Sequence, residues 1–427
     1  MKMEELRPVK VVGRGAMGTV FLIQKQGCDK LLALKAISKS VMAKKGDFQR
    51  RAQIEKDILS RLDHPFLPAL LGHVETENIV GWVVDYCPGG DLNALRHRQT
   101  EKKFPESIIR FYTAEIVLAL EHLHGQGIVY RDLKPENVLI QANGHIMLTD
   151  FDLSTRLSPK QQQQEVLDLA NLGLQRTSSK QRRSPGQLDS VVSYLRRAAT
   201  TRASSSFSQV LRSSSARFFP RVGSEKKKNQ ATAPADATGS LNAFVGTEDY
   251  VAPEVLSRTG HDFAVDWWAL GVLLYEMLYG TTPFKGSTRT ETFYRILVKQ
   301  PEFTGPWSPL SDLIDRLLSK EPDKRLGSRN GAHDVKNHIF FEGLDWEAVQ
   351  DVSRAPFVPA VVSIEALGNV TDIADCVEKL KTDVMSAGLN NEHKHSGWES
   401  EDYGDLVPPN WAERLSRART GDALGVF

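Results

Sequence analysis

The chain has 427 residues, 41% of them hydrophobic, which is enough for two or three domain-sized units with a real core. Its net charge of +1 argues against binding a polyanion, nucleic acid included, through bulk electrostatics. The balance is uneven: Arg156 to Lys228 holds 15 Lys/Arg against 4 Asp/Glu, about +11, so the remainder sums to about −10.

Cys28, Cys87 and Cys376 lie far apart with no metal-ligand spacing, as in a reducing compartment without a disulfide framework. Met1-Lys2-Met3-Glu4-Glu5 lacks an apolar signal region, no run reaches 18 apolar residues, and Lys2 stands where myristoylation needs Gly. The expectation is a cytoplasmic protein, with the nucleus or the plasma-membrane periphery as further locations, and not a secreted one.

In chain order, Val9 to Val12, Val20 to Ile23 and Leu31 to Ile37 read as short strands between turn residues. Phe48 to Leu62 has helical spacing, with Ile54, Ile58 and Leu62 on one face. Pro68 to Val74 and Ile79 to Asp85 complete a small sheet. A long apolar-periodic helix follows from Glu106 to His124, and more helices come after Pro253. From Ser158 to Ser240 the chain turns to Gln, Ser and Lys runs with little apolar surface to offset chain entropy, a composition that predicts disorder. Ordered-looking sequence resumes at Phe244, and a polar tail follows from Asp372.

Four segments carry phosphate chemistry, and a fifth reads as scaffold. Gly13-Arg14-Gly15-Ala16-Met17-Gly18-Thr19-Val20 lies between two strands, and its glycines let backbone amides approach phosphate oxygens; a plain tight hairpin is the other reading. Lys35 follows 17 residues after Gly18, in an apolar strand. Either it snorkels at an edge, or it holds the α/β-phosphates while pairing with Glu55 on the next helix. Tyr130-Arg131-Asp132-Leu133-Lys134-Pro135-Glu136-Asn137 is the most specific signal. Asp132 suits a base for a substrate hydroxyl, Lys134 a γ-phosphate contact, and Asn137 a divalent cation. Asp150-Phe151-Asp152 ends an apolar run 13 residues later, and Asp150 suits Mg²⁺ bridging the β- and γ-phosphates. Gly246 to Glu254 reads as the end of an activation segment. Glu254 is expected to form a buried pair with Arg325, and Asp266 to orient the catalytic-loop backbone.

With these motifs in order, the sequence resembles an AGC-family Ser/Thr protein kinase from about Val9 to Phe341. Tyr130 in place of the usual His, with Ala264-Val265-Asp266-Trp267-Trp268, is similar to AGC kinases specifically. Asp152 for Gly and the long insertion resemble the plant-specific group VIII, most of all its oxidative-signal-inducible kinases. Asp85-Tyr86-Cys87-Pro88-Gly89, Phe151 to Thr155, Glu276 to Gly280 and the terminal Phe427 carry that likeness.

The resemblance implies an α+β bilobal kinase fold, with a small β-rich lobe and a larger helical lobe. Its parts would be a small lobe (9–86), a large-lobe first part with the catalytic loop (87–157), a basic Ser-rich insertion in the activation segment (158–240), a large-lobe second part (241–341) and a tail (342–427). It implies transfer of the ATP γ-phosphate to protein hydroxyls in plant stress or growth signalling, with Mg²⁺ or Mn²⁺. Asp85 and Cys87 would offer hinge backbone to adenine, with Val20, Ala33 and Leu139 around the ring. Asp91 would reach the ribose or a substrate arginine. Glu136 and Glu276 match acids that read arginines before the phosphosite.

Departures accompany the likeness. Ala243 replaces the phosphorylatable residue four before Thr247, so Arg131 and Arg51 are left unpaired or served by another anion, phosphorylated Ser240 among them. Leu424-Gly425-Val426-Phe427 is a degenerate docking motif for an upstream lipid-dependent kinase, or a frayed end. The insertion reads as a solvated loop or as a binder of anionic membrane through Val191 to Arg197, and Arg196-Arg197-Ala198-Ala199-Thr200 resembles a substrate of this kinase class. A pseudokinase scaffold with a degraded nucleotide site is the competing function.

Overall fold

The computed structural model describes residues 1–157 except 16, 29, 45 and 46, then 247–257, 260–351, 355–359, 373 and 377. The expectations for the 158–240 insertion, Ala243 and the Phe427 terminus lie outside the described residues, as does Ala16.

Five strands form one sheet in the order β1-β2-β3-β5-β4: β1 (Leu6–Arg14), β2 (Thr19–Lys25), β3 (Leu31–Ser38), β4 (Gly72–Glu75) and β5 (Ile79–Asp85). All adjacent pairs are antiparallel, so each strand sends alternate side chains to opposite faces. The register places Lys35 opposite Trp82, Ala33 opposite Val84 and Val20 opposite Lys35, so these residues share the face toward the large lobe. The other face carries Phe21, Ile23, Leu34 and Val83, which cluster with Leu6, Ile79, Ile373 and Val377. Ile373 and Val377, both almost fully buried, thus cover the side of the sheet remote from the large lobe. Full burial of such an aliphatic side chain contributes about 1.5–3 kcal/mol.

Helix α1 (Lys39–Lys44) leads into α2 (Phe48–Leu59), which buries Phe48, Ala52, Glu55, Ile58 and Leu59. The buried positions recur at helical spacing, Glu55 among them, and an acid at such a core position signals a dedicated partner. Helix α2 stops at Leu59, short of Leu62. Arg61 turns back to the Ile58 carbonyl at 2.9 Å, and Pro65 disfavours helix in the residue before it. The run expected as a strand from Pro68 becomes one only at Gly72, because Pro68 has no N–H for the ladder.

The large lobe begins with α3 (Leu92–His97) and α4 (Glu106–Gly125), the latter buried along Ile109, Tyr112, Ile116, Leu120 and Leu123. Short strands β6 (Ile128–Val129), β7 (Val138–Ile140), β8 (Ile146–Leu148) and β9 (Thr155–Arg156) follow, pairing β6 with β9 and β7 with β8. After α5 (Pro253–Ser257) comes α6 (Ala264–Tyr279), apolar on all sides and buried from Ala264 to Tyr275, as a helix without a solvent face must be. Helix α8 (Pro309–Leu317) packs against it, while α7 (Arg289–Val298) packs on α5 and α9 (Ala332–Lys336) on α4. One core runs from Met17, Ile37 and Trp82 of the small lobe through Leu95, Ile109 and Leu133 to Trp268 and Ile314. Among the described residues no helix is long and apolar enough to cross a membrane.

Candidate active site

A cleft of about 1030 Å³ separates the sheet from the helical lobe, lined among others by Gly15, Val20, Ala33, Lys35, Asp132 and Asp150. Its roof is the β1–β2 hairpin, where the Gly15 N–H donates to the Gly18 carbonyl at 2.8 Å. Gly18 has a packing reason to be glycine, since a Cβ there would overlap the Ala36 carbonyl of β3. Gly13, Arg14 and Gly15 line the cleft with it, while Met17, also at the lining, is buried in the core. Of the adenine-side expectations, Val20, Ala33, Asp85, Cys87, Asp91 and Leu139 all line the same cleft, joined by Trp82, Val84 and Met147.

On the small-lobe side, Lys35 neither snorkels nor sits at an edge. Its Nζ donates to both Glu55 oxygens, at 2.7 and 2.9 Å, and to Asp150 Oδ1 at 2.7 Å. Although burial opposes its charge, Asp150 and Glu55 hold Lys35 protonated above its ordinary range. Burial raises the Glu55 carboxyl against the pull of Lys35. Burial likewise opposes ionisation of Asp150, yet Lys35 brings it below the usual carboxylate value.

On the other side lies the Asp132 loop. Asp132 Oδ2 accepts from Lys134 Nζ at 3.0 Å and from Asn137 Nδ2 at 2.8 Å; its Oδ1 makes no hydrogen bond among the described residues. Burial pushes the Asp132 carboxyl up to about 6 even though Lys134 pulls it down. The preceding Arg131 has φ of +66°, and Asp150 has φ of +60°, a left-handed backbone that costs a non-glycine residue on the order of 1–3 kcal/mol. Asp266 on α6 holds the first of these: its carboxylate accepts from the Tyr130 N–H at 2.9 Å and the Arg131 N–H at 2.7 Å, as the sequence suggested. His124 joins the same carboxylate at 2.8 Å, a partner that no sequence signal announced.

The expected Glu254–Arg325 pair is present and buried, with contacts of 2.7 and 2.9 Å. Asp91, Glu276 and Glu136 each already have a partner within the chain. Asp91 spends Oδ1 capping α3, accepting from the Ala94 N–H at 2.7 Å. Glu276 is already engaged by Arg96 at 2.7 Å and the Tyr250 hydroxyl at 2.5 Å, and Glu136 accepts from Asn93 at 3.0 Å. Arg51 is not left unpaired: it binds the carboxylate and the carbonyl of Asp152. Arg131 donates from Nε to the Leu153 carbonyl at 2.6 Å.

Such a cleft, with a lysine tied to a helix acid and an aspartate–lysine–asparagine loop facing it, handles nucleotide phosphates. The protein kinase domain family matches residues 6–171 and 225–341. The chain belongs to the protein kinase family, in its plant AGC group VIII branch. It is 45% identical to the serine/threonine-protein kinase OXI1 of Arabidopsis thaliana over 423 residues, 96% of this chain and 93% of the relative. To the serine/threonine-protein kinase UCN of the same plant it is 42% identical, covering 90% and 92% of the two chains. It is equally similar to Phototropin-2 of Oryza sativa subsp. japonica, at 42%, but covers only 33% of that protein. This kinase is an ATP-dependent serine/threonine phosphotransferase of plant signalling. Neither the geometry nor the relatives support the pseudokinase scaffold.

Proposed function

We propose that Asp132 is the catalytic base of this kinase and that Lys134, Lys35 and Glu55 complete its phosphate-handling set. The observation that carries the assignment is the convergence of two tethered groups on one cleft: Glu55–Lys35–Asp150 from above and Asp132–Lys134–Asn137 from below. A substrate serine or threonine hydroxyl attacks the γ-phosphorus while the bond to the β–γ bridging oxygen breaks, leaving ADP. The hydroxyl proton passes to Asp132 Oδ1. Lys134 balances negative charge on the transferring phosphoryl, and Lys35 holds the α/β-phosphates in line. Gly13, Arg14, Gly15, Ala16, Met17 and Gly18 cover the phosphates; Val20, Ala33 and Leu139 enclose adenine against the Asp85–Cys87 hinge. Burial pushes the Cys87 thiol up to about 12, so it packs there as an inert apolar group.

The residues present fit a magnesium ion. Asn137 uses its Nδ2 on Asp132, which leaves Oδ1 as an oxygen donor, and Lys35 takes only Oδ1 of Asp150. Among the described residues no group of three or more His, Cys, Asp or Glu could hold a metal alone. Asn137 and Asp150 would therefore share the cation with phosphate oxygens and water, as suits Mg²⁺, with Mn²⁺ as the substitute. When bound, the ion neutralises charge on the β- and γ-phosphates.

We also propose a substrate with arginine before the phosphosite. Asp91 and Glu276 sit close enough to Glu136 to raise its carboxyl, after burial, above the ordinary value, so an incoming cation would be welcomed there. Because Arg96 already occupies Glu276, a substrate arginine would have to share that acid or bind Asp91 and Glu136 instead. A cytoplasmic location, reaching the nucleus or the plasma-membrane face, fits the chain's sparse cysteines. An upstream lipid-dependent kinase acting through Phe427 and an anionic membrane acting on 158–240 are the partners we propose.

The test is phosphate transfer from Mg²⁺-ATP to an arginine-rich serine peptide by the purified full chain, beside Asp132→Asn. Loss of a positioned base predicts a fall of about 10²–10⁴ in kcat. Equal turnover by the variant would remove Asp132 from the mechanism.

A further inference from the structure

Helix α2 presents two charged side chains one turn apart, Arg51 and Glu55, an i, i+4 pair on one face. Glu55 reaches Asp150 through Lys35, as described. Arg51 reaches Asp152, gripping it twice: from Nη2 to the carboxylate, and from Nε to the carbonyl oxygen at 3.3 Å. The Asp152 side chain is only 9% exposed and that of Arg51 21%. A carboxylate withdrawn from water this far is costly unless a charged donor meets it, and Arg51 is that donor.

The two residues after Asp152 are lashed in the opposite direction. The Leu153 carbonyl accepts from Arg131 Nε at 2.6 Å, and the Ser154 hydroxyl donates to the Tyr130 carbonyl at 3.1 Å. Residues 152–154 therefore bridge the catalytic loop on one side and α2 on the other. Any rotation of α2 that withdraws Glu55 from Lys35 must also break the Arg51–Asp152 contact.

We propose that Asp152 is a positioning residue for phosphoryl transfer: through Arg51 it latches α2 in the orientation in which Glu55 holds Lys35. The latch is built from the chain's own carboxylate and requires no added phosphate, which agrees with alanine at position 243. It rests on the phosphate-handling roles proposed for Lys35, Glu55 and Asp150, and it adds a second tie one helical turn away from the first. A glycine at 152 would leave Arg51 only the carbonyl oxygen.

The test is a double-mutant cycle on the full chain, with Asp152→Asn, Arg51→Met, their combination and Arg51→Lys. Steady-state phosphorylation of an arginine-rich serine peptide is measured with ATP varied, beside thermal midpoints. Each charge-removing variant is expected to lower kcat/KM for ATP about tenfold, with the double variant no worse than either single. Arg51→Lys, which keeps the cation, is expected within about threefold of wild type. The KM for ATP should rise in Asp152→Asn with the thermal midpoint little changed, a split that a purely structural role would not produce. Should Asp152→Asn keep wild-type kcat/KM, or should the two losses multiply independently, the latch is overturned. If Asp152→Asn does not fold, the Arg51→Met and Arg51→Lys comparison decides alone, since equal losses in both would contradict a charge latch. A wild-type chain with no more transfer than Asp132→Asn would instead overturn the assignment of the base, a failure separate from that of the latch.

Discussion

Arg325 offers the sharpest stability experiment in the large lobe. Its guanidinium donates to both Glu254 oxygens at 2.7 and 2.9 Å, to the Ala264 carbonyl at 2.7 Å and to the Ser319 carbonyl at 3.1 Å, and stacks 5.2 Å above Trp268. The two side chains are 0% and 4% exposed. Replacing Arg325 with Met keeps much of the volume but takes the bidentate guanidinium away from the buried Glu254 carboxylate and leaves two carbonyls short of a donor. Removing one partner of such a buried pair costs about 3–5 kcal/mol. At about 2–4 °C per kcal/mol for a unit of this size, the thermal midpoint should fall by about 6–20 °C. Glu254→Leu should cost a similar amount, because it strands the arginine. The double variant leaves no buried charge unmatched and only the two carbonyls short of a donor, so it should be more stable than either single variant. Thermal unfolding by circular dichroism, with urea titration at 25 °C, measures all four proteins. Singles within about 1 kcal/mol of wild type, or losses that simply add, would refute the view that an uncompensated buried charge is the penalty.

Three further outcomes follow from the geometry. Burial places the Asp132 carboxyl at about 6; with Asp132 as the proposed base, kcat should fall tenfold per pH unit below about 6 and level off above it, read by a pH–rate profile. Ile373, 4% exposed against the outer face of the sheet, should resist charge, so Ile373→Asp should lower the thermal midpoint while Ile373→Val changes it little. Lys320 lies 3.5 Å from the Phe284 ring centre with no hydrogen-bond partner for its Nζ among the described residues, and burial lowers its pKa to about 7 from 10.5. Between those values the unfolded chain binds the proton and the folded one does not, so wild-type stability should gain on that of Lys320→Met as pH rises from 7 to 10.5. Midpoints of the two proteins across that range check it, and parallel curves would contradict it.

Much of this was legible in the sequence because the relevant signals are local. A strand pattern of period two, a glycine turn and an Asp–x–Lys–x–x–Asn loop are each fixed by neighbours within a few residues, and those elements were placed within a few positions of where they stand. Glu55 was legible for a different reason: by itself it reads as a solvated helix charge, and only the phosphate-holding reading of Lys35 called for an acid on the next helix. What escaped is pairing between distant residues. Nothing in the letters says that His124 shares the Asp266 carboxylate, that Arg96 occupies Glu276, or that the anion awaiting Arg51 is Asp152, since those partners are 142, 180 and 101 residues apart. Strand and helix ends also escaped, at Pro68 and Leu59, where a missing N–H and a downstream proline overrule periodicity.

The way α6 carries the Asp132 loop decides where this enzyme can be adjusted. One carboxylate of that helix, Asp266, holds two consecutive loop amides, and it does so around the strained Arg131 backbone. The residue proposed as proton acceptor thus follows a loop anchored to a helix that is buried from Ala264 to Tyr275. Lys35, proposed to hold the nucleotide, stands by contrast on β3 and depends on Glu55 of α2 and on Asp150 for its position. On the proposed roles, an effector that tunes this kinase would act by moving Lys35 and its ties against the anchored Asp132 loop.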